Sequence, residues 1–268
     1  MTLSLKCEIM SIVNFTEDTI MENKIRVTVW NEYVHEKEDP ATIAVYPDGI
    51  HRTIKAFLDP NEDMEVRTAT LDEPEQGLPD DVLNNTDVLV WWGHCAHAQV
   101  DDGLVSKVID RVRKQGMGLI GLHSAHHSKP MKGILGATGD LMWGDNVKEV
   151  VWNMLPTHPI AEGIPAAFTL ESEEIYSEPF FIPVPDEQVF TAWFEGGNVF
   201  RAGNCYYKGL GKVFYFQPGH ETCRSFYNPY VQKIITNGIR WAAPVKTCIK
   251  EETPYIGQGY FGGKKESL

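Results

Sequence analysis

The sequence predicts an α/β fold: a doubly wound, mostly parallel sheet to which the second half of the chain adds antiparallel strands. Two short apolar runs, Asp87–Trp92 and Met117–Leu122, are typical of parallel strands buried on both faces. Between them lies a segment with apolar residues at helical spacing. This alternation of strand, helix and strand indicates right-handed crossover connections. From residue 144 onward the chain is rich in aromatic residues, Pro and Gly, which favours antiparallel additions.

The first half of the chain is predicted to alternate strands and helices. Ile25–Trp30 is the first strand, and Tyr46–Leu58 is a helix with Pro47 in its first turn. Met64–Thr70 is the second strand. The helix that follows Asp87–Trp92 is marked by an apolar stripe of Leu104, Val105, Val108, Ile109 and Val112.

The second half is predicted to be mainly β-structure. Four runs form the antiparallel part of the sheet, namely Val147–Trp152, Ala167–Leu170, Gln188–Phe194 and Asn198–Tyr206. Lys212–Phe216 is then the last strand of the core, and Phe226–Trp241 closes the domain as a helix. One face of that helix is predicted to carry Tyr227, Tyr230, Val231, Ile234 and Ile235.

These elements predict one domain over residues 21–243. Residues 1–20 have weak periodicity and are predicted to be an N-terminal extension. Residues 244–268 contain two prolines, several glycines and little periodicity, so they are predicted to be a C-terminal tail.

Composition excludes several classes of partner. With a net charge of −13 and a pI near 5.1, the chain lacks the excess of Lys and Arg that nucleic acids and anionic membranes require. Five cysteines without a CxxC pair suit a reducing compartment, and no stretch approaches the length of an apolar membrane span. We therefore expect a cytoplasmic protein that binds a small polar molecule. Aromatic residues outside the predicted core also suggest a homo-oligomer.

Histidines follow four of the predicted strands, at the edge where sheets of this kind bind ligands. These residues are His35, His94, His97, His123, His126, His127 and His220. A single loop histidine usually caps a helix or hydrogen bonds to a neighbour. Imidazoles that four separate strands deliver to one edge indicate a shared site instead.

Such a site suits a divalent transition metal, and Zn²⁺ is the expected ion. Zinc in catalytic sites is held by about three protein ligands and keeps one position open for water or substrate. The candidate ligands are His94, His97, His123, His126 and His220. The candidate catalytic groups are Glu32, Glu174, Tyr176 and Glu221, whose carboxylates can also ligate or orient an imidazole. The segment Glu171–Tyr176 is equally consistent with a solvated acidic loop.

A covalent nucleophile is less strongly indicated. Serine and cysteine nucleophiles commonly lie on a strand-to-helix elbow such as G-x-S-x-G. In the segment 121–125, His123 occupies the nucleophile position and Ser124 comes one place late. Cys95, close to His97, is the other candidate, although free cysteines are usually inert and buried. Neither GxGxxG after the first strand nor a Walker motif is present, so nucleotide cofactors are not expected.

Six motifs in order along residues 25–243 are similar to those of the ThuA family of trehalose-utilisation proteins. They are WWGHCAH (91–97), GLIGLHSAHHSKP (118–130), THPIAEGI (157–164), EEIYSEPFFIPVP (173–185), FEGGNVFRAGN (194–204) and VFYFQPGHET (213–222). The resemblance implies a flavodoxin-like fold of the class I glutamine amidotransferase type. His123 stands where amidotransferases carry their elbow cysteine, and His220 and Glu221 fall where their His and Glu would lie. The resemblance thus argues against amidotransferase chemistry.

The resemblance also implies a role in the utilisation of disaccharides such as trehalose, including 3-keto forms. We expect a metal-dependent enzyme whose ion polarises a sugar carbonyl or hydroxyl. Aromatic residues that are candidates for stacking on a pyranose ring are Trp91, Trp92, Trp143, Tyr176 and Trp193. Two alternatives stay open: a non-catalytic sugar-binding or regulatory protein, and a metal-free hydrolase that uses Glu32 with Glu174.

Overall fold

Nine strands form one mixed sheet in the computed structural model, which describes residues 24–245. They are β1 (Ile25–Asn31), β2 (Met64–Thr70), β3 (Val88–Trp92), β4 (Gly118–Leu122), β5 (Met142–Asn153), β6 (Ala167–Ser177), β7 (Glu187–Phe194), β8 (Val199–Lys208) and β9 (Gly211–Phe216). Their order across the sheet is β2-β1-β3-β4-β9-β8-β7-β5-β6. Neighbours from β2 to β9 are parallel, and neighbours from β9 to β6 are antiparallel.

The helices connect and cover these strands. They are α1 (His35–Glu38), α2 (Pro40–Val45), α3 (Ile50–Leu58), α4 (Asp80–Asn84), α5 (Asp102–Gln115), α6 (Lys129–Leu135) and α7 (Pro229–Ala242). α3 packs against β1 and β2, while α7 packs against β4 and β9. An α/β fold whose sheet is parallel in its first part and antiparallel in its second is therefore confirmed. The doubly wound arrangement of the helices stays a prediction.

The last residues of four parallel strands lie in one row. Asn31 of β1 pairs with Trp92 of β3, Trp92 with Leu122 of β4, and Leu122 with Phe216 of β9. Each of these residues is also the final residue of its strand. The segments that follow the four strands therefore leave the sheet at the same level, which places their first side chains close together.

Two predicted helices begin later than expected, for local reasons. The predicted helix Tyr46–Leu58 begins at Ile50, because Gly49 adopts a φ of 90° that interrupts the helical backbone. The predicted helix Phe226–Trp241 begins at Pro229, because the Asn228 side chain accepts hydrogen bonds from the amides of its first turn. Tyr227 therefore precedes the helix, and Tyr227 and Tyr230 are partly exposed, whereas Val231, Ile234 and Ile235 of the predicted face are buried.

The strand β6 is longer than the predicted run Ala167–Leu170. It continues through the acidic segment to Ser177, so a solvated loop there is excluded. Glu173 and Glu174 are both buried although they are adjacent in the strand. Adjacent residues of a regular strand point to opposite faces of the sheet. The pairing of β5 with β6 is irregular next to these two residues, with register shifts of the kind that β-bulges produce.

Several predictions concern residues outside the described range or are not tested by the fold. The predicted extension 1–20 and residues 246–268 of the predicted tail lie outside them, and the single domain over 21–243 stays a prediction. No helix within residues 24–245 is long and apolar enough to cross a membrane. Trp152 on β5 and Trp193 on β7 are exposed. The homo-oligomer that exposed aromatics suggest also stays a prediction.

The close approach of α7 to β4 yields a stability prediction. A Cβ atom added at Gly118 would lie 2.6 Å from the carbonyl oxygen of Ala242, which is backbone and cannot easily move. We predict that Gly118→Ala lowers the free energy of unfolding by about 1–3 kcal/mol, as overpacking does elsewhere. Gly144→Ala is the control, since its Cβ would lie 3.9 Å from Ile175 Cβ. Equal urea midpoints for the two variants would contradict this packing.

Candidate metal centre

His123 is buried at the carboxyl edge of the sheet in an uncommon backbone conformation. It follows β4 directly, has a φ of 50° and is 0% exposed. Positive φ is rare for a residue with a bulky side chain. Its Nδ1 lies 3.0 Å from the carbonyl oxygen of Gln217, which can only accept, so Nδ1 donates. In the neutral ring, Nε2 then carries the free lone pair that a metal requires.

Glu174 and Tyr176, both on β6, face this nitrogen. Glu174 Oε2 lies 3.1 Å from His123 Nε2, and the other carboxylate oxygen lies 4.0 Å from His220 Nε2. The Tyr176 hydroxyl lies 3.3 Å from His123 Nε2 and 2.9 Å from Ser124 Oγ. The antiparallel part of the sheet thus supplies groups to a site whose histidines follow the parallel strands.

Four side chains converge tightly enough to hold one ion. His94, His123, Glu174 and His220 each offer a ligand atom, and these atoms all lie within 4.8 Å of one another. Three imidazoles and a carboxylate form a donor set that suits Zn²⁺ and related transition metals. The predicted convergence of histidines at this edge is therefore present as a group that can bind a metal, with nothing that identifies the ion.

A second group adjoins the first. His35 Nε2 lies 3.0 Å from His94 Nδ1 and 3.8 Å from Glu221 Oε1. The distance from His94 Nδ1 to Glu221 Oε1 is 3.6 Å. The other oxygen of Glu221 lies 3.5 Å from His220 Nε2, so Glu221 touches histidines on both sides. His35 follows β1, which adds a fourth strand end to the site.

Burial and neighbouring charge set the protonation of these groups. Burial lowers the pKa of His94 to about 4 and that of His220 to about 3, and His123 adds to both effects. Burial alone would lower the pKa of His123 as well, but the Glu174 carboxylate raises it to about 8. Conversely, burial alone would raise the pKa of Glu174, but its hydrogen bond with His123 lowers it. In the absence of metal, His123 and Glu174 therefore form an ion pair near neutral pH.

Glu221 and Glu173 have contrasting surroundings. Burial raises the pKa of Glu221, and its Oε2 has no hydrogen-bond partner among the described residues. Glu173 is fully buried, but it accepts hydrogen bonds from the amides of Gly219 and His220 and from the Ser225 hydroxyl. Glu173 thereby anchors the loop that carries His220. Glu173 is not identifiable from the sequence, because nothing in the pair Glu173-Glu174 shows which carboxylate faces the loop.

Five predicted site residues are not members of the four-residue group: Tyr176 and Glu221 contact it, as described above, and the other three have different partners. His126 is buried, and its Nδ1 donates to the Gly139 carbonyl oxygen at 2.7 Å. His97 packs edge-on against His127. Glu32 accepts hydrogen bonds from the amides of Cys95 and Ala96 and from the Cys95 thiol, so it holds the loop after β3.

The two candidate nucleophiles are poorly placed for covalent chemistry. Burial raises the pKa of Cys95 to about 12, with the negative charge of Glu32 adding to the effect. A thiol that keeps its proton at neutral pH is a weak nucleophile. Among the described residues, the Ser124 hydroxyl hydrogen bonds to the Tyr176 hydroxyl and not to an imidazole that could remove its proton.

A cavity of about 230 Å³ opens beside the four-residue group. It is lined by His94, Ser124, His126, His127, Leu141, Trp143, Glu174 and Tyr176. Trp143 is 68% exposed, so its ring is available at the cavity. Trp91 and Trp92 are fully buried in the core, whereas the exposed Trp193 lies on a different surface with Trp152.

Solved structures support the fold. A ThuA-like protein from Parabacteroides merdae superposes with a TM-score of 0.63 at 14% identity, over 86% of this chain and 95% of its own. A cytoplasmic protein from Salmonella typhimurium superposes with a TM-score of 0.56 at 12% identity, over 82% of this chain and 99% of its own. Identities this low show a shared fold and nothing about chemistry.

A glutamine amidotransferase from Thermotoga maritima also aligns, at 12% identity over 74% of this chain and 76% of its own, but with a TM-score of 0.42. A TM-score below 0.5 does not establish a shared fold, so the amidotransferase-like description of this fold stays a prediction. A search of curated proteins finds no match. The family model for ThuA, described as trehalose utilisation, matches residues 26–242. The chain therefore belongs to the ThuA family.

Proposed function

We propose that the protein is a metal-dependent enzyme that acts on a disaccharide of the trehalose type or on its 3-keto derivative. The observation that carries this proposal is the convergence of His94, His123, Glu174 and His220 beside a cavity. The description of the family supplies the class of substrate. Catalysis by an amidotransferase mechanism is not proposed, because His123 occupies the strand end where a cysteine would be needed.

The four converging side chains would hold the ion. Their donor set fits Zn²⁺, and two of the three imidazoles are kept neutral by burial, as ligation requires. When bound, such an ion polarises a sugar carbonyl or hydroxyl oxygen and lowers the pKa of bound water. A resident transition metal, with Zn²⁺ the best match, is thus part of the proposal.

The surrounding residues orient groups and keep protons in place. The Gln217 carbonyl fixes the ring of His123 and the nitrogen that carries its proton. Burial raises the pKa of Tyr176 well above its ordinary value, so its hydroxyl stays protonated and can donate a hydrogen bond to a substrate oxygen. Glu221, whose pKa is also raised by burial, is the group best suited to exchange a proton with the substrate.

Trp143 is the proposed platform for a sugar ring. It combines an exposed indole with a position at the cavity, and the other tryptophans named from the sequence lack one of these two properties. Metal-free hydrolysis by Glu32 and Glu174 is not proposed, since both oxygens of Glu32 accept hydrogen bonds from the loop after β3. A non-catalytic sugar-binding protein would use the same cavity and differ only in lacking turnover.

The first prediction from this site concerns metal content. We predict that protein purified without chelator retains at least one equivalent of a divalent transition metal, and that His123→Ala loses it. The fold should persist, because His123 lies beyond the last paired residue of β4 and outside the hydrophobic core. Elemental analysis and circular dichroism measure the two properties. His127→Ala is the control, as it removes a cavity histidine that lies outside the group; equal metal loss in both variants would refute the assignment.

The pH dependence of metal binding follows from the pKa values. Between about pH 5 and 7, His94 and His220 are already neutral, whereas His123 is protonated below its pKa of about 8. Metal binding then displaces one proton, so affinity should rise about tenfold per pH unit and level off above pH 8. Three histidines with ordinary pKa values would instead give a steeper loss confined below about pH 6. Competitive zinc titrations from pH 5 to 9 distinguish these slopes, and a flat profile would exclude His123 as a ligand.

The sugar platform is tested by a pair of tryptophan substitutions. We predict that Trp143→Ala weakens disaccharide binding about tenfold, the size expected when an aromatic contact of about 1 kcal/mol or more is lost. Trp193→Ala removes an exposed tryptophan from another surface and should leave affinity unchanged. Isothermal titration with trehalose or its keto derivative provides the measurement. Equal affinities in the two variants would place the sugar elsewhere.

A further inference from the structure

We propose that a second divalent cation binds next to the first, to His35, His94 and Glu221, so that the centre contains two metals. This inference rests on the proposed metal at the first group, with which the second shares His94. It assigns a role to His35, which the first site does not use. Because a neutral imidazole has only one lone pair, His94 would serve both ions as an imidazolate that binds one through each ring nitrogen, and its N–H proton would leave to solvent. Glu221 would then be a ligand of the second ion, and the proton exchange proposed above would apply to the centre with one ion.

The three ligand atoms already have the spacing of a metal site. Ligand atoms bound tetrahedrally at about 2.0–2.2 Å lie about 3.3–3.6 Å from one another. Here the three separations among His35 Nε2, His94 Nδ1 and Glu221 Oε1 are 3.0, 3.6 and 3.8 Å. Little movement would therefore bring all three atoms onto one ion.

One oxygen of the buried Glu221 carboxylate lacks a hydrogen bond among the described residues. The residue is 5% exposed, and its Oε2 has no hydrogen-bond partner among the described residues. A buried carboxylate oxygen without a hydrogen bond is costly, and metal coordination is one of the arrangements that compensates for it. Glu221 therefore has the character of a ligand more than of a structural residue, in contrast to the fully bonded Glu173.

An ion can also reach this position. The side chains of His35 and His94 are 25% and 26% exposed, whereas that of His123 is fully buried. The second group is thus the more open of the two. Its ion would keep coordination positions for solvent or for substrate.

Two adjacent ions suit a particular substrate chemistry. Paired divalent ions can take two neighbouring oxygen atoms of one molecule and orient them together. A sugar offers such pairs as vicinal hydroxyls, and a 3-keto sugar offers a carbonyl beside a hydroxyl. The two-metal centre would therefore favour chelating sugars, and the α-hydroxy ketone most of all.

The stoichiometry of bound Mn²⁺ and Zn²⁺ tests the second ion. We expect two equivalents per chain in the unmodified protein and one in Glu221→Gln and in His35→Ala. The control His127→Ala should keep two. Glu221→Gln preserves the shape of the side chain, and metal-free Glu221→Gln should be at least as stable as the parent because it removes a buried carboxylate charge whose Oε2 has no hydrogen bond among the described residues.

The outcomes separate the two proposals. One equivalent in the unmodified protein would overturn the second ion while leaving the first site intact, and none would overturn both. Two equivalents in Glu221→Gln and His35→Ala would place the second ion elsewhere. If those variants fail to fold, electron paramagnetic resonance of the unmodified protein decides: exchange-coupled signals on adding the second Mn²⁺ support neighbouring ions, and two isolated signals refute them.

Discussion

The alignment of four strand ends is the constraint on which the site depends. Asn31, Trp92, Leu122 and Phe216 form one row of register partners, and each ends its strand. Because the chain leaves the sheet at one level four times, His35, His94, His123 and His220 reach a common volume without long loops. Ligand sites at the carboxyl edge of parallel strands are a general property of such sheets. In this protein, a histidine follows each of the four strand ends.

The antiparallel half of the sheet supplies the carboxylates that complete the site. β6 brings Glu174 against His123 and also supplies Glu173, which holds the loop that carries His220. On the other side of the site, Glu32 holds the loop after β3, which carries His94. Two carboxylates thus fix the loops by hydrogen bonds to backbone amides. Glu174 and Glu221 are left to face the histidines, which gives the acidic residues distinct roles.

Much of this was accessible from the sequence, because the strands that matter are short apolar runs with clear ends. The runs Asp87–Trp92 and Met117–Leu122 predicted β3 and β4 to within one residue, and the histidines after them marked the correct edge. The sequence does not show which of these histidines converge on one point. His126 and His97 lie three residues from His123 and His94, but the short 3₁₀ turns after β4 and β3 direct them to other partners. Glu173 and Glu174 could not be told apart, since an irregular strand register decides which of them faces the metal group.

The most direct test of a histidine-rich metal centre at this edge is X-ray absorption spectroscopy of the zinc-loaded protein. The geometry predicts a first shell of nitrogen and oxygen atoms at about 2.0–2.2 Å, with the multiple scattering of several imidazoles and no sulfur. Among the candidate ligand groups of the described residues, a cysteine occurs only in an adjoining group, formed by Cys95, Glu32 and His35. A sulfur shell near 2.3 Å would place the metal there and would contradict the centre formed by His94, His123, Glu174 and His220.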